Sequence, residues 1–151
     1  MAYPCLVHYN TENAYREYFE ATYCNSPIIT FDGVSVRFRK RDFDHAFFES
    51  VRGKDDTFST KRAERIDWIK HCLQDPNSDR YVGWDKQKKR YDRTRRVAIV
   101  MGNYVVVIRL QKCGTKAHFV TAFVADTPSR PGRLSTIQQI RRSPRWAKKN
   151  R

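Results

Sequence analysis

Residues 96–109 read Arg96-Val97-Ala98-Ile99-Val100-Met101-Gly102-Asn103-Tyr104-Val105-Val106-Val107-Ile108-Arg109. Two runs rich in β-branched side chains flank a Gly-Asn dipeptide, a composition that joins antiparallel strands through a two-residue turn. With Gly102-Asn103 as the loop, Met101 faces Tyr104, and the register then pairs Ile99 with Val106, Val97 with Ile108 and Arg96 with Arg109. Side chains alternate across a strand, so Met101, Tyr104, Ile99, Val106, Val97 and Ile108 form one face, to be covered by helices. The other face carries Val100, Val105, Ala98, Val107, Arg96 and Arg109. Like charges directly opposite each other are destabilising, and the arginine pair therefore suggests an anion held between them. Two side chains splayed into water are the alternative.

A third strand of this meander is expected over about residues 117–124. Whether its His118 joins the arginines depends on the loop Lys112-Cys113-Gly114-Thr115. An even-numbered loop sets His118 opposite Arg109 and turns Phe119, Thr121 and Phe123 to the helices. An odd-numbered one turns Thr121 toward the arginines and buries His118. Strand alternation forbids both on one face unless the strand carries a bulge.

Toward the N-terminus, residues 11–23 begin with a cap-like Thr11-Glu12-Asn13 and place Tyr15, Tyr18, Phe19 and Thr22 three and four apart, the period of an amphipathic helix. The aromatic stripe suits a core better than a ligand platform. Val34, Val36 and Phe38 alternate with Ser35 and Arg37 behind Asp32-Gly33, which predicts a strand over residues 33–39. From Ser59 or Thr60 to Leu73, the spacing of Ile66, Ile69 and Leu73, with Trp68 and Cys72, predicts a second helix that ends before Pro76. The expected fold class is α+β, with N-terminal helices packed on an antiparallel β-meander sheet.

The chain has 151 residues, 40% of them hydrophobic and 13% aromatic, enough apolar side chain for one core and one domain. That domain is expected over residues 1–126, followed by a basic tail, 127–151, either mobile or docking. No stretch approaches the roughly 18 apolar residues of a membrane span, and the first ten residues lack a signal peptide's basic and apolar regions. Four scattered cysteines, Cys5, Cys24, Cys72 and Cys113, fit reduced thiols rather than a disulfide framework. The expected location is cytoplasmic.

Charge is the strongest functional signal. Thirty Lys and Arg stand against 16 Asp and Glu, for a net charge of +14. Seven of the basic residues fall between Lys86 and Arg96, and eight follow Asp126 with no acid among them. Clustering of this kind marks a polyanion partner, because neutralised phosphates release condensed counterions. A solubilising surface or an attraction to anionic lipid are the blander readings. Lys88, Lys89, Arg90 and Arg93, with Arg96 and Arg109, are the candidate phosphate contacts.

Other chemistries find little support. Cys5-x-x-His8, His71-Cys72 and Cys113-x4-His118 lack the repeated ligand pairs of a zinc site. No Walker-type glycine loop or G-x-S-x-G elbow occurs. No helix-turn-helix, RRM or KH signature stands out either. What remains is histidine in basic, aromatic surroundings. His45 lies beside Asp44 in the apolar segment Phe43-Asp44-His45-Ala46-Phe47-Phe48, a setting in which an imidazole can transfer protons near neutral pH, although a lone histidine is more often structural.

Three stretches carry a resemblance. Phe31-Asp32-Gly33-Val34 leading to Phe43-Asp44-His45-Ala46-Phe47-Phe48, then Arg62-Ala63-Glu64-Arg65-Ile66-Asp67-Trp68-Ile69, then Phe119-Val120-Thr121-Ala122-Phe123 resemble the phage-associated nucleases grouped with barnase, EndoU, the colicin-type tRNases and RelE. The resemblance covers about residues 15–126 through loose motifs. It implies a BECR-like nuclease fold and metal-independent cleavage of RNA through the ribose 2′-hydroxyl. On the matching positions it implies His45, Arg65 and Thr121 as catalytic residues; the strand reading leaves His118 as the alternative.

The expectation is thus an endoribonuclease of phage, prophage or toxin type that needs neither metal nor cofactor, acting in a host cytoplasm if phage-delivered. Its partner is RNA, with tRNA and mRNA both open, and the class allows a cognate inhibitor. Oligomeric state is left open. The rival reading is a non-catalytic nucleic-acid-binding or virion-packaged phage protein. The discriminating observation is whether His45 lines an open basic cleft or is packed shut.

Overall fold

A computed structural model describes residues 3–85, 87–125 and 136–146, with backbone alone at residues 85 and 93–95. The chain is a mixed α+β protein. Helix α1 (Glu12–Phe19) starts at Thr11, whose side chain accepts from the Ala14 N–H, and runs on into a π-helical turn, Glu20–Cys24. Short strands β1 (Ile28–Ile29) and β2 (Ser35–Arg37) precede α2 (Asp42–Phe47), after which β3 (Phe48–Glu49) and β4 (Thr57–Phe58) pair as a separate ribbon. Helices α3 (Thr60–Ala63) and α4 (Ile66–Gln74) lead to β5 (Asp79–Asp85), β6 (Arg90–Met101), β7 (Tyr104–Leu110) and β8 (Lys116–Val124). Helix α5 (Thr136–Arg141) is the last element.

The main sheet has the order β1-β2-β8-β7-β6-β5. The β6–β7 hairpin has the register expected from its turn, with Met101 opposite Tyr104, Ile99 opposite Val106, Val97 opposite Ile108 and Arg96 opposite Arg109. Three features depart from the expected meander. Strand β2 joins β8 in parallel, so the sheet is not wholly antiparallel; most of the chain lies between the two strands, ample length for a crossover. Strand β5 adds a further edge, and β6 begins at Arg90, so much of the basic run is hairpin. The single helix expected up to Leu73 is broken at Arg65, where φ is −95° and ψ is 21°. There the Glu64 carbonyl accepts from the Val7 N–H at 2.8 Å, a tertiary bond that replaces helix continuation.

One face of the sheet carries Val97, Ile99, Met101, Tyr104, Val106 and Ile108 into a core shared with Phe19, Tyr23, Phe38, Phe43, Phe47, Ile66 and Ile69. Phe38 stacks on Phe119 at 4.7 Å, and Phe19 meets Phe43 and Phe47 edge-on, each at 5.8 Å. Burial of such rings stabilises by roughly 1.5–3 kcal/mol each. Part of the opposite face is also apolar. Tyr81, Ala98, Val100, Val105 and Ala125 form a second cluster, roofed by Ile137 and Ile140 of α5. Arg141 and Arg145 fasten this cover by each reaching Asp79 at 3.1 Å, and Pro144 accepts from the Val82 N–H at 2.7 Å. The rest of the tail, 126–135 and 147–151, lies outside the described residues.

All four cysteines are free thiols. Among the described residues, no helix is long and apolar enough to cross a membrane.

Candidate active site

Helix α5 leaves one end of the outer sheet face open, and the open end is where the charged side chains of the strands gather. The alternation problem at β8 is resolved by a bulge. Val107 pairs with Thr121 but Ile108 pairs with Phe119, so Val120 is the extra residue. With that insertion, Phe119 and Ala122 both stay in the main core while His118 and Thr121 both face outward. His118 is opposite Arg109, Arg109 is opposite Arg96, and on the other side Arg37 of β2 pairs with His118. Four adjacent strands therefore contribute one row of cationic or titratable residues: Arg37, His118, Arg109 and Arg96.

Arg96 is placed by a glycine. Its aliphatic stem lies across Gly83 of β5 so closely that a Cβ there would come within 2.3 Å of the Arg96 Cγ. The β5–β6 register shifts between Val82, opposite Val97, and Gly83, opposite Asp92, which leaves residues 93–96 without a partner in β5.

A helix supplies the other wall of the groove. In α2 the side chains of Phe43, Ala46 and Phe47 are buried, so their helical spacing turns His45 outward. Phe43 and Phe47 are the anchors, and truncating either to alanine would cost roughly 3–5 kcal/mol. The Thr121 hydroxyl donates to the His45 carbonyl at 2.9 Å, which ties α2 to the bulged strand. The His45 side chain is 43% exposed, and its Nδ1 lies 3.1 Å from Asp55 Oδ2. Asp55 is held in a tight loop with φ of 49°. The next carboxylate, Asp56, accepts the backbone N–H groups of Val51, Arg52 and Gly53, each at 2.9 Å. Those bonds, led by the one from Val51, hold the Asp56 carboxyl down at about 2. The loop is thus ordered by one carboxylate in order to present the other to His45.

His45, Asp55, Arg96, Arg109, His118 and Thr121 line a single groove of about 920 Å³. Its charged lining is Arg39, Lys54, Arg96, Arg109 and Lys112 against Asp42 and Asp55. Both acids are engaged, Asp42 with the Arg39 backbone N–H at 2.8 Å and Asp55 with His45. Two buried nitrogens in the groove have no hydrogen-bond partner among the described residues: Arg96 Nε and His118 Nδ1. The Gln111 amide nitrogen lies 3.1 Å from His118 Nε2. With that amide as donor, the ring proton sits on Nδ1, and the unpaired atom is an N–H aimed at no acceptor. An unsatisfied buried donor costs about 1–3 kcal/mol, a cost that a bound anion removes.

His45, Thr121, Arg96, Arg109 and His118 are therefore brought together, and His45 lines an open basic groove. Arg65 is not among them. It lines a separate recess of about 320 Å³ with Lys61, Arg62 and Glu49, its guanidinium 5.1 Å from the Trp68 ring centroid. The Thr121 hydroxyl proton is used on the His45 carbonyl, so in this arrangement it is not offered to the groove. Lys88, Lys89 and Arg90 are exposed near the tip of the β5–β6 hairpin, and the Arg93 side chain lies outside the described residues. Asp44, the sequence neighbour expected to influence His45, instead pairs with Arg16 at 2.9 Å. Asp55 and Gln111 are site residues that sequence reading missed, as was the pairing that sets Arg37 beside His118. Only the Gly53 turn beside two aspartates hinted at the first.

No group of three His, Cys, Asp or Glu that could hold a metal ion occurs among the described residues. Comparison of the chain with family models, curated proteins and solved structures finds no match in any of the three.

Proposed function

We propose that this groove is the active site of a metal-independent endoribonuclease that cleaves RNA by attack of the 2′-hydroxyl on the adjacent phosphodiester. The observation that carries the reading is the meeting of two histidines with Arg96 and Arg109 in one open groove, where Arg96 Nε and His118 Nδ1 are buried without hydrogen-bond partners among the described residues.

Each chemical requirement has a candidate. With its Nδ1 proton donated to Asp55, His45 presents the lone pair of Nε2 as the base that removes the 2′-proton. Asp55 stabilises the imidazolium that results. His118 as the imidazolium, with the Gln111 amide turned so that its oxygen accepts from Nε2–H, gives its Nδ1 proton to the departing 5′-oxygen as the P–O5′ bond breaks and is left neutral. Arg96 and Arg109 compensate the charge that builds on the phosphorane oxygens. The products are a 2′,3′-cyclic phosphate and a 5′-hydroxyl, with both histidines in the opposite protonation state from the start. The fold assignment that accompanies this reading is the BECR-like one, and the helices on a largely antiparallel sheet are compatible with it.

The test is incubation of purified protein with total RNA in EDTA, followed by analysis of the new ends. Cyclic phosphate ends support the proposal. RNA that is bound yet uncut points instead to the non-catalytic nucleic-acid-binding alternative.

A further inference from the structure

The β5–β6 hairpin continues beyond the register shift at Gly83, pairing Gly83 with Asp92, Trp84 with Tyr91 and Asp85 with Arg90. This extension carries the most exposed of the tryptophans. Trp68 stacks on Tyr3 at 4.5 Å and donates its indole N–H to the Pro4 carbonyl, and Trp146 packs against the main core. Trp84 belongs to neither core cluster and leaves 48% of its surface in solvent. Its ring meets Tyr91 edge-on at 5.1 Å, and the Tyr91 hydroxyl is backed by Ser143 Oγ at 3.5 Å. The pair is thus braced from the α5 side with the indole presented outward.

Position and charge say what such an indole would meet. Lys88, Lys89 and Arg90 are exposed just past it on the hairpin. On the other side, Trp84 is the residue after Gly83, over which Arg96 passes into the groove. The row Arg37, His118, Arg109, Arg96 runs across the sheet perpendicular to its strands and ends at Gly83. At about 4.8 Å between neighbouring strands, the row from β2 to β5 covers about 19 Å, the reach of a few nucleotides of extended single strand. Cationic tracks that end on exposed aromatic rings are how proteins hold unpaired bases, since every base has a π-face.

From this we infer that Trp84, braced by Tyr91, is a stacking platform for an unpaired base of a single-stranded RNA whose phosphates lie along the Arg37–Arg96 row. The inference rests on the RNA-cleaving reading of the groove and narrows its substrate to single strands. A duplex keeps its bases stacked internally and offers none to the indole.

The experiment is fluorescence anisotropy with a labelled 2′-O-methyl oligonucleotide of about twelve residues, which lacks the nucleophile, so binding is read without cleavage. Trp84→Leu should weaken binding by about ten- to a hundredfold, while Trp84→Phe keeps most of the affinity. The slope of log K against log salt should not change in either variant, because no phosphate contact is lost. The matching duplex should bind more weakly and be indifferent to Trp84→Leu. Equal affinity of wild type and Trp84→Leu for the single strand, or an equal effect on the duplex, overturns the platform. A Trp84→Leu change seen only in self-association would assign the indole to a contact between copies and overturn it too. Failure of the platform leaves RNA cleavage by wild type intact, whereas a bound but uncut ribo-oligonucleotide would remove the enzyme and leave the platform standing. A wild type that binds no oligonucleotide overturns both.

Discussion

The groove beneath His45 and the recess beside Arg65 are both lined by arginine, yet their guanidinium groups are used differently. In the recess, Arg62 Nε is 3.6 Å from Glu49, and Arg65 Nη1 is 3.3 Å from Glu64 and donates to the Lys61 carbonyl. Arg65 also lies over the Trp68 ring. In the groove, Arg96 and Arg109 have no carboxylate within ion-pairing distance among the described residues, and Arg96 Nε is unpartnered. Both regions are basic, but Arg62 and Arg65 each face a carboxylate, although Arg65 Nε has no hydrogen-bond partner among the described residues, whereas of the groove arginines only Arg39 does, 3.9 Å from Asp42. Density of positive charge is therefore a poor guide to a site. Absence of a facing carboxylate is a better one.

The contrast breaks most visibly under substitution of the two residues that the sequence treats alike. His45→Ala should lower single-turnover cleavage by roughly 10²- to 10⁴-fold with little change in melting temperature. Arg65→Ala should do the reverse, reducing the melting temperature while activity per folded molecule stays near wild type. A destabilised His45→Ala protein with normal activity per folded molecule would move the chemistry out of the groove.

Affinity sharpens the comparison further. Arg96→Ala or Arg109→Ala should weaken binding of single-stranded RNA and reduce the log K versus log salt slope by about 0.7 unit each. Gly83→Ala removes no charge but displaces the Arg96 stem, so it should approach the Arg96→Ala affinity. Binding unchanged by Gly83→Ala would mean that Arg96 acts from another position. A smaller effect is expected from freeing the recess. Glu49→Gln with Glu64→Gln unpairs Arg62 and Arg65, and the salt slope should steepen by no more than about 0.7 unit per freed guanidinium, without faster cleavage.

The smallest effect concerns the loop that presents Asp55. The folded-state carboxyl of Asp56 sits at about 2, below its ordinary value of 3.8, so its support for the loop is complete above the ordinary value and is lost as pH falls through about 2. The Gly53 amide shift, followed by NMR, should inflect near that lower pH. An inflection near 4 would show that the three N–H bonds to Asp56 are not formed in solution.

How much of this is legible in the sequence differs by length scale. The β6–β7 register follows from a two-residue turn, and the arginine pair follows from the register. The bulge at Val120 is invisible by itself, since nothing local distinguishes Val120 from the other apolar residues of β8; only the conflict over His118 and Thr121 pointed to one. Helix α2 is six residues long, too short for periodicity to declare it, and its role depends on aromatic partners far along the chain. The parallel pairing of β2 with β8, which adds Arg37 to the cationic row, joins segments about 80 residues apart. The His45 partner was sought next door at Asp44 and is found at Asp55, because a loop closed by Asp56 sets spatial neighbours that sequence order does not. Arg65, assigned through the resemblance alone, stands at the break between α3 and α4 and lines the other recess.

The central claim is that the groove cleaves RNA by using the substrate's own 2′-hydroxyl. Its most direct test compares, in EDTA, the cleavage of an oligoribonucleotide with that of the same strand bearing one 2′-deoxy residue immediately 5′ to the scissile phosphate. Cleavage at this bond should disappear, while affinity and cleavage elsewhere persist. Cleavage at the deoxy position at an undiminished rate would contradict it.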